Sequence, residues 1–279
     1  MSSHIEIILI SEILYSAMGD WIMSVRKNFL MFDSNIGKDK PENIINTDAL
    51  CPFCNREQLT DIIASDGPIL LLKNKYPVLI DTFQTVLIET YECDAELSTY
   101  SKEHLYKVIG FGVRKWQEMI QSGEFASVIF YKNYGPCSGG TIRHPHMQIV
   151  GLRYTDYTNN LTNDSFKGFV IHEQNGAQLN LAKEPQNGFF EFNIRLDHLS
   201  AINQMADYIQ IVIHYLLHHF HKNCKSYNLF FYQIKGQIWA KVVPRFITSP
   251  LLIGYLLPQV SNRAVEVVKE IQMIYFIGK

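Results

Sequence analysis

The sequence predicts an α+β fold of two related halves, each an antiparallel sheet packed with a long helix. Three observations predict it. Short β-branched and aromatic runs bounded by Gly, Pro, Asn or Asp recur along the chain, each half holds one long stretch with apolar residues at three-to-four spacing, and the order strands, helix, strands occurs twice. The boundaries read as 1–50 for an N-terminal segment and lead-in loop, 51–152 for the first half and 153–279 for the second.

The apolar stretch Ile5 to Ala17 is interrupted by Glu6 and Glu12 and falls short of the roughly 20 residues needed to span a bilayer, so it reads as a core-facing element, neither membrane anchor nor secretory leader. Residues 25–50 are polar, hold Gly37 and Pro41 and lack a clean period, which describes a lead-in loop. Strands are expected at Ile69–Lys73, Val78–Asp81, Thr85–Thr90, Ala126–Tyr131 and His146–Leu152. Between them, Ser101–Ser122 places Leu105, Val108, Ile109, Val113, Trp116 and Ile120 on one helical face behind a serine cap.

The second half repeats the pattern. After the polar connector 153–168, strands are expected at Gly168–Glu173, Ala177–Ala182 and Gly188–Arg195, with turns at Asn175-Gly176 and Asn187-Gly188. A helix over Ile202–His221 follows, then a hairpin of Tyr227–Ile234 and Gln237–Val243 through Lys235-Gly236, and a closing helix over Ala264–Tyr275.

Composition narrows the function. With 279 residues, 47 % hydrophobic and 19 % charged, the chain can bury a sizeable core and is not intrinsically disordered. Twenty-five Lys plus Arg against 27 Asp plus Glu provide no basic field for a polyanion, which excludes a dedicated nucleic-acid binder. Five cysteines in a chain of this length, without a leader, fit reduced thiols and a cytosolic location better than a disulfide framework.

The densest chemistry lies in Asn133–Gln148, NYGPCSGGTIRHPHMQ. In a strand the side chains of His144, His146 and Gln148 fall on one face. The preceding Ser138-Gly139-Gly140-Thr141 is a short turn whose N–H groups and hydroxyls could surround an anion. An imidazole with one nitrogen fixed as donor offers the other as a lone pair toward phosphorus, and Gln148 can donate to a phosphate oxygen without shuttling protons. An isolated His-x-His also occurs in ordinary packing, so the signal is its coupling to the Gly-Ser turn. His214, His218, His219 and His221 have no Asp or Glu among them and read as a solvated or half-buried helix face, not a metal site.

Cys51-Pro52-Phe53-Cys54 is the second signal. Two thiolates at this spacing can wrap one zinc ion, whereas a redox pair would open a helix in a βαβ unit that the flanking sequence does not offer. Two further ligands are needed. Cys93 and His144 suit by residue type, but spacing alone does not choose them over His104 or Cys137.

Taken in order, Cys51-Pro-Phe-Cys54, Asn74-Lys75-Tyr76-Pro77, Val86-Leu-Ile-Glu-Thr90, Asn133-Tyr-Gly135 and Gly139-Gly-Thr141 leading to His144-Pro-His146-Met-Gln148 resemble galactose-1-phosphate uridylyltransferase, a family of the histidine triad superfamily. The likeness spans about residues 50–152 and thins to Trp239–Tyr255 and the closing helix beyond. It implies two histidine-triad-like halves and a ping-pong nucleotidyl transfer in which His146 is the nucleophile and Gln148 holds a phosphate oxygen, in the slot where the hydrolytic branch carries a third histidine. It further implies Asn133, Ser138, Gly139, Gly140 and Thr141 along the phosphates, and Asn74 beside base and ribose. One structural Zn2+ would be held by Cys51, Cys54, His144 and, in the slot of a family histidine, Cys93.

Two departures accompany the likeness. The family's second-half His-x-His stretch aligns with Trp239-Ala240-Lys241, so no second metal is expected, and Leu256 follows Gly254-Tyr255 where a sugar-gripping glutamate is expected, leaving Gln259 as a loose substitute. The implied function is a nucleotidyltransferase acting on a nucleotide or nucleotide sugar, with a dinucleoside polyphosphate phosphorylase or hydrolase, or a nucleotide-binding sensor, as alternatives. Relatives suggest a homodimer.

Overall fold

The computed structural model describes residues 29–278. The apolar element expected at 5–17 lies outside the described residues. After the short helix α1 (Ser34–Lys38), whose Asp33 cap accepts from the N–H groups of Asn35 and Ile36, the chain builds one ten-stranded sheet. Its strands are β1 (Ile62–Asp66), β2 (Ile69–Lys73), β3 (Thr82–Ile88), β4 (Ser127–Tyr134), β5 (His146–Leu152), β6 (Gly168–Gln174), β7 (Ala177–Ala182), β8 (Phe192–Leu196), β9 (Tyr227–Ile234) and β10 (Gln237–Pro244).

The spatial order is β1-β2-β3-β5-β4-β9-β10-β8-β7-β6, and the named pairs are antiparallel. Read as halves, the order 1-2-3-5-4 is repeated as 6-7-8-10-9. The halves meet where β4 pairs β9, with Phe130 opposite Phe231 and Asn133 opposite Asn228. Each half inserts a helix between its third and fourth strands: α2 (Lys102–Gln121) in the first and α3 (Ile202–Tyr215) in the second. The short helix α4 (Pro250–Tyr255) and the closing helix α5 (Ala264–Tyr275) complete the chain. Among the described residues, no helix is long and apolar enough to cross a membrane.

Strand alternation gives the sheet two different faces. On one, Leu71, Leu87, Phe130, Met147, Ile149, Phe231, Ala240 and Val242 form a continuous core with Trp116 of α2 and Met205, Ile209 and Val212 of α3. Phe130 and Phe231 stack at 4.4 Å across the seam between the halves, and Trp116 Nε1 donates to the Val128 carbonyl at 2.9 Å, which lets a large indole be fully buried without an orphaned donor. A side chain of this size contributes about 1.5–3 kcal/mol by burial. Gly112 allows the helix to approach, since a Cβ there would lie 2.6 Å from the Phe130 ring.

The opposite face carries the polar residues of β5. There Leu72, Val86 and Ile88 form a small apolar cluster with Phe53 and Leu59 of the segment that covers the first half.

The elements differ from expectation in a few places. β1 escapes the alternation rule because Ile62 and Ile63 are both exposed on an edge strand whose register shifts between Ile62 and Ala64. Val78–Asp81 makes no strand of the sheet: it pairs with the lead-in through Asp33 N–H to Val78 O, 2.7 Å, and Ile80 N–H to Met31 O, 2.9 Å, and ends at Asp81, whose φ is +57°. The helix expected to run to His221 leaves α geometry after Tyr215 and closes with a π turn over Leu216–Phe220. Helix α4 arises from a Ser249 cap with proline at its first position.

Candidate active site and metal cluster

Two loops and one strand build the site. A tight turn, Cys54 N–H to Cys51 O at 3.4 Å, folds Cys51 and Cys54 toward the end of β3, where the chain turns through Thr90 to Cys93. His144 enters just ahead of β5. The ligand atoms of Cys51, Cys54, Cys93 and His144 lie within 4.8 Å of one another. Nδ1 of His144 is 3.6 Å from both the Cys51 and Cys54 sulfur atoms, which is the edge expected, about 3.6 Å, for sulfur and nitrogen ligands on one tetrahedral zinc ion.

The rest of the donor set fits a cation. Nε2 of His144 is 3.0 Å from the Thr90 carbonyl, which can only accept, so Nε2 carries the proton and Nδ1 presents its lone pair to the cysteines. Burial and the neighbouring Cys51 and Cys93 sulfur atoms push the Cys54 thiol up to about 12, while at Cys51 burial is outweighed by the polar contacts with His144 and the Phe53 backbone, which bring the thiol down to about 6. Three sulfur atoms so close ionise together only around a positive charge. Arg143 hydrogen-bonds the Cys93 sulfur and pairs with Asp94 at 3.1 Å; Arg56 donates to the Thr90 carbonyl and stacks on Tyr91 at 4.2 Å.

His146 lies one register step from the cluster. Its Nδ1 is 2.8 Å from the His144 carbonyl oxygen, which fixes the proton on Nδ1 and leaves Nε2 as the free lone pair. Burial drives the imidazole down to about 4, opposed by the His144 carbonyl and assisted by the positive charges of Lys132 and Lys40. The ring is therefore neutral at pH 7. Phe53, from the cysteine turn, meets the rings of His144 and His146 edge-on at 6.0 and 5.4 Å, so one aromatic side chain packs against both. Gln148 follows on the same face of β5, between Val86 and Tyr131.

The turn between β4 and β5 collects the next group. Asn228 donates from Nδ2 to Asn133 Oδ1 at 2.7 Å and to the Ser138 carbonyl at 3.0 Å, tying the turn to the second half. Gly135 has φ +83°, and a Cβ there would meet the Lys225 carbonyl oxygen at 2.1 Å, so only glycine closes this approach. Ser138 donates its hydroxyl to Gly135 O at 2.7 Å and accepts from Gly140 N–H at 3.2 Å, so that hydroxyl shapes the turn. Gly139 takes φ +83°, and the Thr141 carbonyl accepts from Asn43 N–H at 2.9 Å. Asn74 stands apart. It opposes Gln84 at the far end of β3, four residues or about 13 Å along the strand from the level of His146, with its Oδ1 accepting from Tyr76 N–H at 2.9 Å.

Several neighbours of the site carried no sequence signal. Asn43, 1 % exposed, accepts from Arg143 N–H at 2.7 Å, and its Nδ2 has no partner among the described residues. Lys40, whose ammonium is destabilised by burial, is near enough to His146 to depress its basicity. Both sit in a lead-in with no periodicity. Lys132 was legible in principle, since it takes the inward parity of Val128 and Phe130 in β4. It is fully buried and paired with Glu89, which also accepts from the Tyr100 hydroxyl at 3.0 Å, behind the backbone of His146.

The fold is similar to that of uridylyltransferase and GalT-like structures. A uridylyltransferase structure has a TM-score of 0.63 at 14 % identity over 81 % of this chain and 91 % of its own; an ADP-glucose phosphorylase from Arabidopsis thaliana, with bound ADP-glucose, has 0.65 at 16 % over 81 % and 91 %. The chain itself belongs to the DUF4931 family. Residues 32–155 match its N-terminal domain and 158–276 its C-terminal domain, both described as domains of unknown function. A DUF4931 family protein from Bacillus cereus ATCC 10987 is 45 % identical, covers 77 % of this chain and 100 % of that one, and superposes with a TM-score of 0.72. A curated di-/tripeptide transporter from Lactobacillus helveticus is 33 % identical over 92 residues, 32 % of this chain but only 18 % of the transporter's length.

Proposed function

We propose that this protein is a nucleotidyltransferase that carries a nucleoside monophosphate on His146. The tautomer and burial of His146 carry the reading: a neutral ring, with Nδ1–H held by the His144 carbonyl at 2.8 Å, keeps a lone pair on Nε2 at neutral pH. The donor is a nucleotide sugar or similar pyrophosphate. Nε2 bonds to its α-phosphorus, the bond from that phosphorus to the bridging oxygen breaks, and the electron pair leaves with the departing phosphate. The positive charge then on the imidazole is stabilised by the His144 carbonyl. In the second step an acceptor phosphate oxygen attacks the same phosphorus and the P–N electrons return to Nε2.

The chain's other residues bind and orient. Asn133, Ser138, Gly139, Gly140 and Thr141 line the phosphates, with Lys40 as an additional cation over the same region, and Asn74 is the candidate for base and ribose. Gln148 donates its amide hydrogen to a phosphoryl oxygen and offers no base to activate water, which favours transfer over hydrolysis. Cys51, Cys54, Cys93 and His144 would hold one zinc ion, which supplies structural cross-linking of the two loops to β5. The functional halves are 51–152, bearing nucleophile and metal, and 153–279; free cysteines are the support for a cytosolic location.

One observation favours inorganic phosphate as acceptor, the reaction of a dinucleoside polyphosphate phosphorylase. Leu256, in the sugar-gripping position implied by the likeness, is 81 % exposed and apolar, so it supplies no hydrogen bond to a hexose. Exchange of labelled phosphate or labelled hexose 1-phosphate into the donor, without net reaction, tests both readings. Exchange that His146→Ala abolishes by at least about 10³-fold supports the covalent route. Undiminished exchange in that variant overturns it.

A further inference from the structure

We propose that a cavity in the second half is a second binding site, built for a small aromatic anion. It measures about 540 Å³, inside the roughly 300–1,000 Å³ range of small-molecule sites. None of the cysteine cluster, His146 or the β4–β5 turn lines it, although Gln259, the loose substitute in the sugar-gripping stretch, does.

Its walls are aromatic. The π turn at the end of α3 brings His219 and Phe220 to the cavity, Phe190 meets Phe220 edge-on at 5.1 Å, and Phe246 lines the same space. π turns interrupt helices mostly where a local side-chain placement is wanted, and here the displaced residues are wall residues.

Its charge is positive. Two guanidinium groups, Arg245 and Arg263, line the cavity against one carboxylate, Glu270, and that carboxylate already accepts from the Tyr215 hydroxyl at 2.8 Å. Arg263 also pairs with Glu266 at 2.7 Å, an exposed contact of little strength. Arg245 is held from behind: its Nη1 donates at 3.1 Å to Oδ1 of Asn228, which is itself buried and fixed by its bonds to Asn133 and Ser138. An arginine oriented before the ligand arrives loses less freedom on binding. Planar guanidinium suits a carboxylate or phosphate, and the rings suit an aromatic body.

The probe is 8-anilinonaphthalene-1-sulfonate, titrated by fluorescence against the full chain. Saturable binding of one equivalent is expected, retained in His146→Ala and displaced by benzoate or phenyl phosphate but not by benzyl alcohol. The better of the two competitors tells whether the site takes carboxylates or phosphates. Arg263→Gln should weaken the probe about tenfold, the loss of one charge-assisted hydrogen bond. Gly188→Phe should weaken it at least as much, because Gly188 lines the cavity and a Cβ there meets nothing within 4 Å. Matching thermal melts exclude unfolding of either variant. Unsaturable binding, affinity unchanged in both variants, or failure of both anions to displace the probe overturns the site.

Discussion

Nδ1 of His146 lies 2.8 Å from the carbonyl oxygen of His144, the residue whose own Nδ1 faces the sulfur atoms of Cys51 and Cys54 at 3.6 Å. The candidate nucleophile is thus oriented by the backbone of a residue whose ring belongs to the cysteine–histidine cluster. The Thr90 carbonyl holds the other side of the His144 ring at 3.0 Å, so the strand entrance is fixed at three points.

Removal of the third sulfur tests the cluster. Cys93→Ala is expected to purify with well under stoichiometric zinc and to melt at least about 5 °C lower, because metal binding free energy is partly folding free energy. Cys93→His should keep the metal, since it preserves a tetrahedral donor set. Elemental analysis beside a thermal melt reads both; full zinc in Cys93→Ala removes Cys93 from the set.

The acidity of His146 sets a pH profile. With the ring pushed down to about 4, the nucleophilic neutral form is present above that value and lost as pH falls through it. Single-turnover formation of the nucleotidyl adduct should therefore be level between about pH 6 and 8 and decline toward pH 4. A midpoint near the ordinary histidine value of about 6.5 would contradict the burial account.

With the nucleotide carried on His146, Gln148 is expected to decide between transfer and hydrolysis. In Gln148→His a titratable ring replaces an amide that cannot take a proton, so hydrolysis of the adduct should rise about tenfold or more relative to transfer. Product partitioning between free nucleoside monophosphate and transferred product measures it. An unchanged ratio would mean that water is excluded by something other than this side chain.

Lys132 and Glu89 are buried on the helix side of the sheet, directly behind the candidate nucleophile. Lys132→Met leaves the carboxylate without its cation and should cost about 3–5 kcal/mol in denaturant unfolding, while adding Glu89→Gln should recover part of that loss. A single variant as stable as the parent would show that the pair is not energetically coupled.

Periodicity made most of this fold legible: the inward residues Leu105, Val108, Ile109 and Trp116 of α2 and the hairpin at Lys235-Gly236 all fall where spacing puts them. What stayed hidden depends on tertiary context. Ile62 and Ile63 are exposed on an edge strand, so β1 shows no alternation; Val78–Ile80 pairs with the lead-in instead of joining the sheet. In the site, ordered motifs picked out the four clustered metal-ligand candidates, and the structure brings their ligand atoms within 4.8 Å. Lys40 and Asn43 could not be found that way, because a loop residue reaches a site through the path of its backbone and leaves no period behind.

The central claim is that His146 is nucleotidylated. Intact-mass spectrometry after brief exposure to pooled nucleotide sugars, dinucleoside polyphosphates and nucleoside triphosphates, with His146→Ala as control, tests it without a choice of acceptor. The account predicts a mass increase of one nucleoside monophosphate that is absent from the control, and the increment identifies the base. Zinc-loaded protein that binds nucleotides but gains no mass from any donor in the pool would contradict it and mark the chain as a nucleotide sensor.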